Sequence, residues 1–420
     1  MKYGLIAQKL SHSFSKEIHG KLFDYPYELR EIAADQLEDF MRRREFNAIN
    51  VTIPYKETVI PYLDEISETA ARIGAVNTIV NRNGKLFGDN TDFLGMVALI
   101  RQAGIVIEGK KVLVLGSGGT SKTAAAVARH LGCKEVYRVS RSGRDGCITY
   151  EQAAQNHKDA EILINTTPCG MYPNIHQSPV DIEDYPQLQG VVDAIYNPLR
   201  TKLVCDALNK GIAAVGGLYM LVAQAVYAAE KFVAQSVPEE KLKEVFGQMM
   251  AQKQNIVLIG MPGCGKSTVG KELARLLNAD FIDTDAEIVN KDGRPIPEIF
   301  SEEGEQGFRD LETEAIRNIA VRQHAVIATG GGAILRQENV RLLQQNGRVY
   351  FIDRPLEALE TTSDRPLSCN RQDLERRYQE RYDIYLASCH KRIPSDSVVE
   401  DVVAAIKEDF EDENFGDQRT

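Results

Sequence analysis

Residues 255–277 read NIVLIGMPGCGKSTVGKELARLL, and this stretch decides the fold. An apolar run suited to one buried strand leads into Gly260–Ser267, which fits G-x-x-x-x-G-K-[ST] throughout. The glycines let successive backbone N–H groups turn toward a phosphate, and the helix behind them aims its positive end at the same point. In such a loop Lys266 reaches the β- and γ-phosphates of ATP, Ser267 holds Mg²⁺, and Gly263, Cys264, Gly265 and Thr268 complete the cradle. A glycine turn that merely joins strand to helix is the plainer reading. The apolar run before it and the helix-forming run behind it weigh against that.

Working outward, FIDTD at 281–285 places Asp283 and Asp285 two residues apart, on one side of a strand end. One carboxylate can orient Mg²⁺ and the other a substrate hydroxyl, although a solvated strand end would look the same. GFRDLE at 307–312 sets Arg309 near a helix start, where its rigid fork suits a small carboxylate. Taken alone, such an arginine is more often on the surface. Gly330, Gly331 and Gly332 follow the apolar run AVIAT and permit close backbone approach to a ligand.

A second strand–turn–helix unit lies upstream, GKKVLVLGSGGTSKTAAAVARHLG at 109–132. Gly116, Ser117, Gly118, Gly119 and Thr120 form its turn, with Ser121 where a third glycine of the dinucleotide pattern would come. The next strand, EVYRV, ends in Ser140 and Arg141, with Arg144 close behind. An acid there would accept from a ribose 2′-hydroxyl and repel a 2′-phosphate; arginine attracts the phosphate, so NADP(H) is expected over NAD(H). A surface arginine pair remains the alternative.

The first hundred residues alternate short β-like and helical runs, with helices expected near 15–23, 34–43 and 55–63, as in a small α/β domain. Within them Ser13 and Ser15 occupy alternate positions of KLSHSFS, where they could present hydroxyls to a polyol or cap the helix behind them. NVTIPYK brings Asn50, Thr52 and Lys56, and GDNTD brings Asn90 and Asp92. A lysine and an aspartate beside one carbonyl can supply and relay a proton, but spacing alone does not bring Lys56 to Asp92.

The 420 residues suit two or three domains, and 43% apolar with 26% charged residues is a globular composition. A net charge of −10 gives no basic footprint for nucleic acid. No apolar run is long enough to span a membrane. Seven singly scattered cysteines without C-x-x-C spacing argue against a disulfide framework and a zinc site, and point to the cytoplasm. Residues 251–254 look like a polar linker, and the acidic end like a solvated tail.

GMPGCGKS, FIDTD, GFRDLE, TGGG, DRPLS and RYDIY together resemble shikimate kinase, in order and spacing. That resemblance implies shikimate contacts from Asp285, Arg309, Arg381 and Gly330–Gly332, with Asp285 orienting the hydroxyl. Lys266, Ser267 and Asp283 would serve ATP and Mg²⁺, and Arg365 would come from a lid over the phosphates. The stretch before it, LEALETTSD, lacks the arginine that many members carry. KLSHSFS, NVTIPYK, GAVNT, GDNTDFLG, GSGGTSKT, NTTPCGM, DAIYNPLRTKL and GGLYMLVAQA likewise resemble shikimate dehydrogenase, over nearly all of residues 1–230. By that resemblance Ser13, Ser15, Thr52, Lys56, Asn77, Asp92 and Gln224 hold the substrate and Lys56 and Asp92 are the catalytic pair. Tyr196 and Gly217 would lie near the nicotinamide.

The architecture implied is α/β throughout. A substrate domain (1–108, completed by 218–250) and a Rossmann-like NADP domain (109–217) precede a P-loop kinase domain with a parallel sheet (255–420). The expected small molecules are 3-dehydroshikimate and shikimate, reduced with NADPH and phosphorylated with ATP and Mg²⁺. Two rivals stand beside this reading: an NAD-dependent quinate-type dehydrogenase in the first half, and a ligand-sensing protein without turnover.

Overall fold

In the computed structural model, described for residues 1–10, 13–359, 371–396 and 398–415, contacts divide the chain into Met1–Phe246 and Gly247–Thr420. The first unit carries two six-stranded sheets. Strands β1 (Tyr3–Ala7), β2 (Tyr27–Glu31), β3 (Ala48–Val51), β4 (Glu65–Ile66), β5 (Thr78–Arg82) and β6 (Lys85–Asp89) line up as β2-β1-β3-β5-β6-β4. This sheet is mixed: β5 runs antiparallel to β3 and β6, while the other pairs are parallel. Asn83 and Gly84 both take positive φ (54° and 87°) in the turn between β5 and β6. An Asn-Gly pair supports that conformation cheaply, which is why it closes hairpins.

The second sheet is wholly parallel: β7 (Lys111–Leu115), β8 (Glu135–Ser140), β9 (Ile148–Thr149), β10 (Ile162–Asn165), β11 (Gly190–Asp193) and β12 (Ala213–Val215), in the order β12-β11-β10-β7-β8-β9. The chain leaves β7 for β8 on one side and returns to β10 on the other. That reversal opens a crevice at the carboxyl ends of β7 and β10, the place where doubly wound sheets take nucleotides. Val112–Leu115 and Ile162–Ile164 are almost wholly buried, as expected of strands covered on both faces.

The helix Leu218–Val233 leaves this sheet and packs on the first one, where Ala228 and Phe232 join Leu5, Tyr27 and Ala48 in one core. Its closest partner is the helix Thr91–Gln102. A Cβ on Gly95 would sit 2.8 Å from the Met220 carbonyl oxygen and 3.0 Å from Gln224 Cβ, so the missing side chain lets the two helices meet.

The second unit has a five-stranded parallel sheet of β13 (Asn255–Ile259), β14 (Asp280–Asp283), β15 (Ala325–Ala328), β16 (Gly347–Asp353) and β17 (Lys391–Pro394), ordered β14-β15-β13-β16-β17. β13 is central, and the helix Lys266–Leu277 starts directly after its loop. Among the described residues no helix is long and apolar enough to cross a membrane.

One expectation needs correction. Residues 55–63 form turns, with a 3₁₀ segment only at Ile60–Tyr62. The Lys56 carbonyl is taken by the Val76 amide at 2.8 Å, and Pro61 has no N–H to extend a helix. Residues 252–254 connect the helix Glu239–Ala251 to β13, with Gln252 exposed and Lys253 and Gln254 buried.

Candidate active sites

The N-terminal unit holds a cavity of about 530 Å³ lined by Ser13, Ser15, Asn50, Thr52, Lys56, Asn77, Asp92, Thr120, Tyr196, Gly217 and Gln224. Residues far apart in the chain are brought there by identifiable local causes. Asp92 lies in the first turn of the helix capped by Asn90, whose Oδ1 accepts from the Phe93 amide. Lys56 stands in the turn after β3, and its Nζ donates to Asp92 Oδ2 at 2.6 Å, with both side chains largely buried.

Asn77 is 3% exposed, and its Oδ1 accepts from the Thr91 amide at 2.7 Å and from the Thr78 and Thr91 hydroxyls. What it has left for the cavity is its amide N–H groups. Gln224 arrives from the returning helix through the close approach at Gly95. Gly217 packs against Ala194, since a Cβ there would lie 2.3 Å from the Ala194 oxygen, and this holds the segment ending at Tyr196 beside the cavity. Ser13 Oγ accepts from the Ser15 amide at 3.3 Å, while the N-cap of the helix Ser15–Leu22 is Phe14, with no side-chain capping bond.

Gly116, Ser117, Gly118 and Gly119 do not line that cavity; they occupy the adjoining turn at the end of β7, opening the helix Gly119–His130. Gly116 has φ 127°, and a Cβ there would be 2.4 Å from Thr166 Oγ1 at the end of β10. Only glycine fits so close to the neighbouring strand. Arg141 and Arg144 lie on an exposed turn after β8. Ser140 is buried, and its Oγ accepts from the Gly143 amide at 3.1 Å, so it shapes that turn.

The C-terminal unit has its own cavity of about 560 Å³. Gly263, Gly265, Lys266, Ser267, Thr268, Asp283, Asp285, Arg309, Gly330, Gly331, Gly332 and Arg381 all line it. Cys264 is buried beneath the loop, and Arg365 lies outside the described residues. Lys266 Nζ donates to the carbonyls of Gly260 and Met261 at 2.9 and 3.0 Å, inside the loop's curve. Ser267 Oγ donates to Asp283 Oδ2 at 2.8 Å, and Asp283 Oδ1 accepts from the Asp285 amide. A hydroxyl and a carboxylate side by side form a hard oxygen donor set that suits Mg²⁺, which keeps several waters and phosphate oxygens as its other ligands.

The glycine triplet is a junction. A Cβ on Gly330 would lie 2.7 Å from Asp285 Oδ1 and 2.8 Å from Glu312 Oε1; on Gly331, 2.8 Å from Pro262; on Gly332, 2.2 Å from the Arg309 guanidinium. The Gly331 carbonyl accepts from Arg381 at 2.9 Å and from the Tyr385 hydroxyl at 2.5 Å. Removing three side chains therefore lets the phosphate loop, two carboxylates and two arginines converge.

Sequence reasoning missed Glu312. It is fully buried and accepts from Arg309 at 2.9 Å. Burial pushes its carboxyl up, Arg309 opposes this and Asp285 adds to it. The signal was present: Glu312 is three residues after Arg309, the spacing that puts two side chains on one helix face.

The family model for shikimate kinase matches residues 262–411, and that for the shikimate dehydrogenase substrate binding domain matches residues 5–79. A shikimate dehydrogenase (NADP(+)) of Clostridium beijerinckii is 39% identical over 245 residues, which are 54% of this chain and 90% of that one. A crystallised chorismate mutase/shikimate 5-dehydrogenase fusion protein from Clostridium acetobutylicum is similar with TM-score 0.56 and 36% identity, covering 59% of this chain and 96% of that one. The shikimate 5-dehydrogenase of Thermus thermophilus, solved with NADP(H) and shikimate, has TM-score 0.53 and 29% identity over 58% of this chain and 98% of its own.

Proposed function

Because the chain belongs to the shikimate dehydrogenase family and carries a shikimate kinase domain behind it, we propose that it catalyses two consecutive reactions. It reduces 3-dehydroshikimate to shikimate with NADPH, and phosphorylates shikimate at the new hydroxyl with ATP and Mg²⁺. When bound, the nicotinamide supplies the hydride, and ATP with Mg²⁺ supplies the phosphoryl group.

In the first site the 2.6 Å Lys56–Asp92 pair carries the reading. An ammonium next to a carboxylate is a proton donor held in place: Asp92 aims the Lys56 ammonium, and Lys56 protonates the carbonyl oxygen as it gains negative charge. Asn77, Thr52, Ser13, Ser15 and Gln224 supply the polar contacts that a small polyhydroxy acid needs. Tyr196 and Gly217 stand where the nicotinamide must enter, and Arg141 with Arg144 attracts the 2′-phosphate beyond the Gly116–Thr120 turn.

In the second site positioning and charge do the work, because phosphoryl transfer asks little covalent chemistry of the protein. Lys266 leaves the loop carbonyls for the phosphates. Ser267 and Asp283 would hold Mg²⁺ when it is bound, and Asp285 orients the acceptor hydroxyl. Arg309 and Arg381 take the carboxylate, and Gly330–Gly332 allows the ring to approach.

We place both reactions in the cytoplasm, a reading supported by the described cysteines all being free thiols. Two assays on the full chain test the proposal: NADPH consumption with 3-dehydroshikimate, and ATP-dependent formation of shikimate 3-phosphate. Both rates are expected. A chain that binds these ligands but turns neither over would be the sensor, not the enzyme.

A further inference from the structure

We propose that Arg377 is a further specificity-determining residue of the kinase site, a guanidinium that takes the carboxylate of the acid substrate alongside Arg309 and Arg381. It stands one helical turn before Arg381 on the helix Arg371–Ser388, and both line the cavity. Residues four apart share a helix face, so the two guanidinium groups address the same space.

The other cations described above are committed within the protein. Lys266 donates to two loop carbonyls. Arg309 is held between Glu312 at 2.9 Å and Glu305 at 3.1 Å, and Arg381 donates to Gly331. For Arg377, by contrast, no carboxylate among the described residues comes within ion-pair distance, and its Nε is buried without a hydrogen bond there. Burial and the charges of Arg381 and, less, Arg376 push the Arg377 guanidinium down, with Glu305 and Asp373 opposing them. A cation so placed gains from an incoming anion, since arginine does not shed its proton.

The neighbours identify which anion. Glu305 and Arg381 both act on Arg377, and Glu305 is also the carboxylate bonded to Arg309. Arg377 therefore belongs with Arg309 and Arg381 among the cations of this cavity. That group already holds an exposed carboxylate of the chain itself, which shows the chemistry it accepts. A small-acid substrate would take the position beside Arg309 and Arg377 that Glu305 shares now.

The inference rests on this cavity using shikimate, and one set of measurements keeps the two claims apart. Arg377→Leu and Arg377→Lys are assayed in the full chain, with dehydrogenase turnover as the internal check on folding. Arg377→Leu should raise KM for shikimate on the order of tenfold or more, leave KM for ATP within about twofold, and be partly rescued by Arg377→Lys. The carboxamide of shikimate should then be used about equally by wild type and Arg377→Leu, because the group Arg377 reads is gone. An unchanged shikimate KM, an equal rise in ATP KM, or the same loss with acid and carboxamide would each overturn the assignment. Failure of the wild type to phosphorylate shikimate would sink the function instead.

Discussion

Lys56 and Asp92 are thirty-six positions apart, and no periodicity joins them. They could be paired from sequence only through the family resemblance, because a turn and a helix start meet through the tertiary fold. Glu312 shows the converse: its partner was three residues away and the pattern was readable. In the proposed function cofactor choice turns on Arg141. Arg141→Ala should cost NADPH binding about 1.5–3 kcal/mol and leave NADH nearly unaffected; titration with both cofactors checks this, and equal losses would remove its role. His19 gives a pH signature. It is 1% exposed, stacked on Tyr27 at 4.1 Å, and burial lowers its pKa to about 3 despite a hydrogen bond to Asn50 that opposes the shift. The unfolded chain protonates near 6.5 and the folded one does not, so stability falls as pH drops from about 6.5 toward 3, by up to about 1.4 kcal/mol per unit. Urea unfolding of wild type and His19→Gln at pH 7, 6, 5 and 4 should show the shallower acid loss in the variant. Parallel curves would mean that His19 takes up its proton in the folded state too.

At the level of elements, both glycine turns were legible because glycine spacing, apolar strand and following helix all agree locally. The expected helix at 55–63 was not a helix because its Lys56 carbonyl serves β5's approach through Val76, a long-range bond that no local pattern reveals. The most consequential junction lies between the helices Thr91–Gln102 and Leu218–Val233, where Gly95 meets backbone. Gly95→Val should force them apart, cost about 1–3 kcal/mol of stability by overpacking, and raise KM for dehydroshikimate by moving Gln224 relative to Asp92. Kinase constants should hold. Thermal unfolding and the two KM values measure this, and an unchanged dehydrogenase KM would show that the contact does not set the site.

On the scale of the whole molecule, composition already required more than one core, and two nucleotide turns located two sheets. The join is a short polar connection at 251–254, in which Lys253 and Gln254 are buried, and polarity alone did not reveal that burial. The central claim is that one polypeptide makes a hydroxyl at one site and phosphorylates it at another. Its most direct test is to supply 3-dehydroshikimate, NADPH, ATP and Mg²⁺ in one vessel and follow shikimate 3-phosphate by mass. Wild type should form it. Lys56→Met should stall at the ketone and Lys266→Ala should accumulate shikimate, while the two variants mixed should restore the product. Phosphorylated product from either variant alone, or none from their mixture when both are folded, would contradict the account.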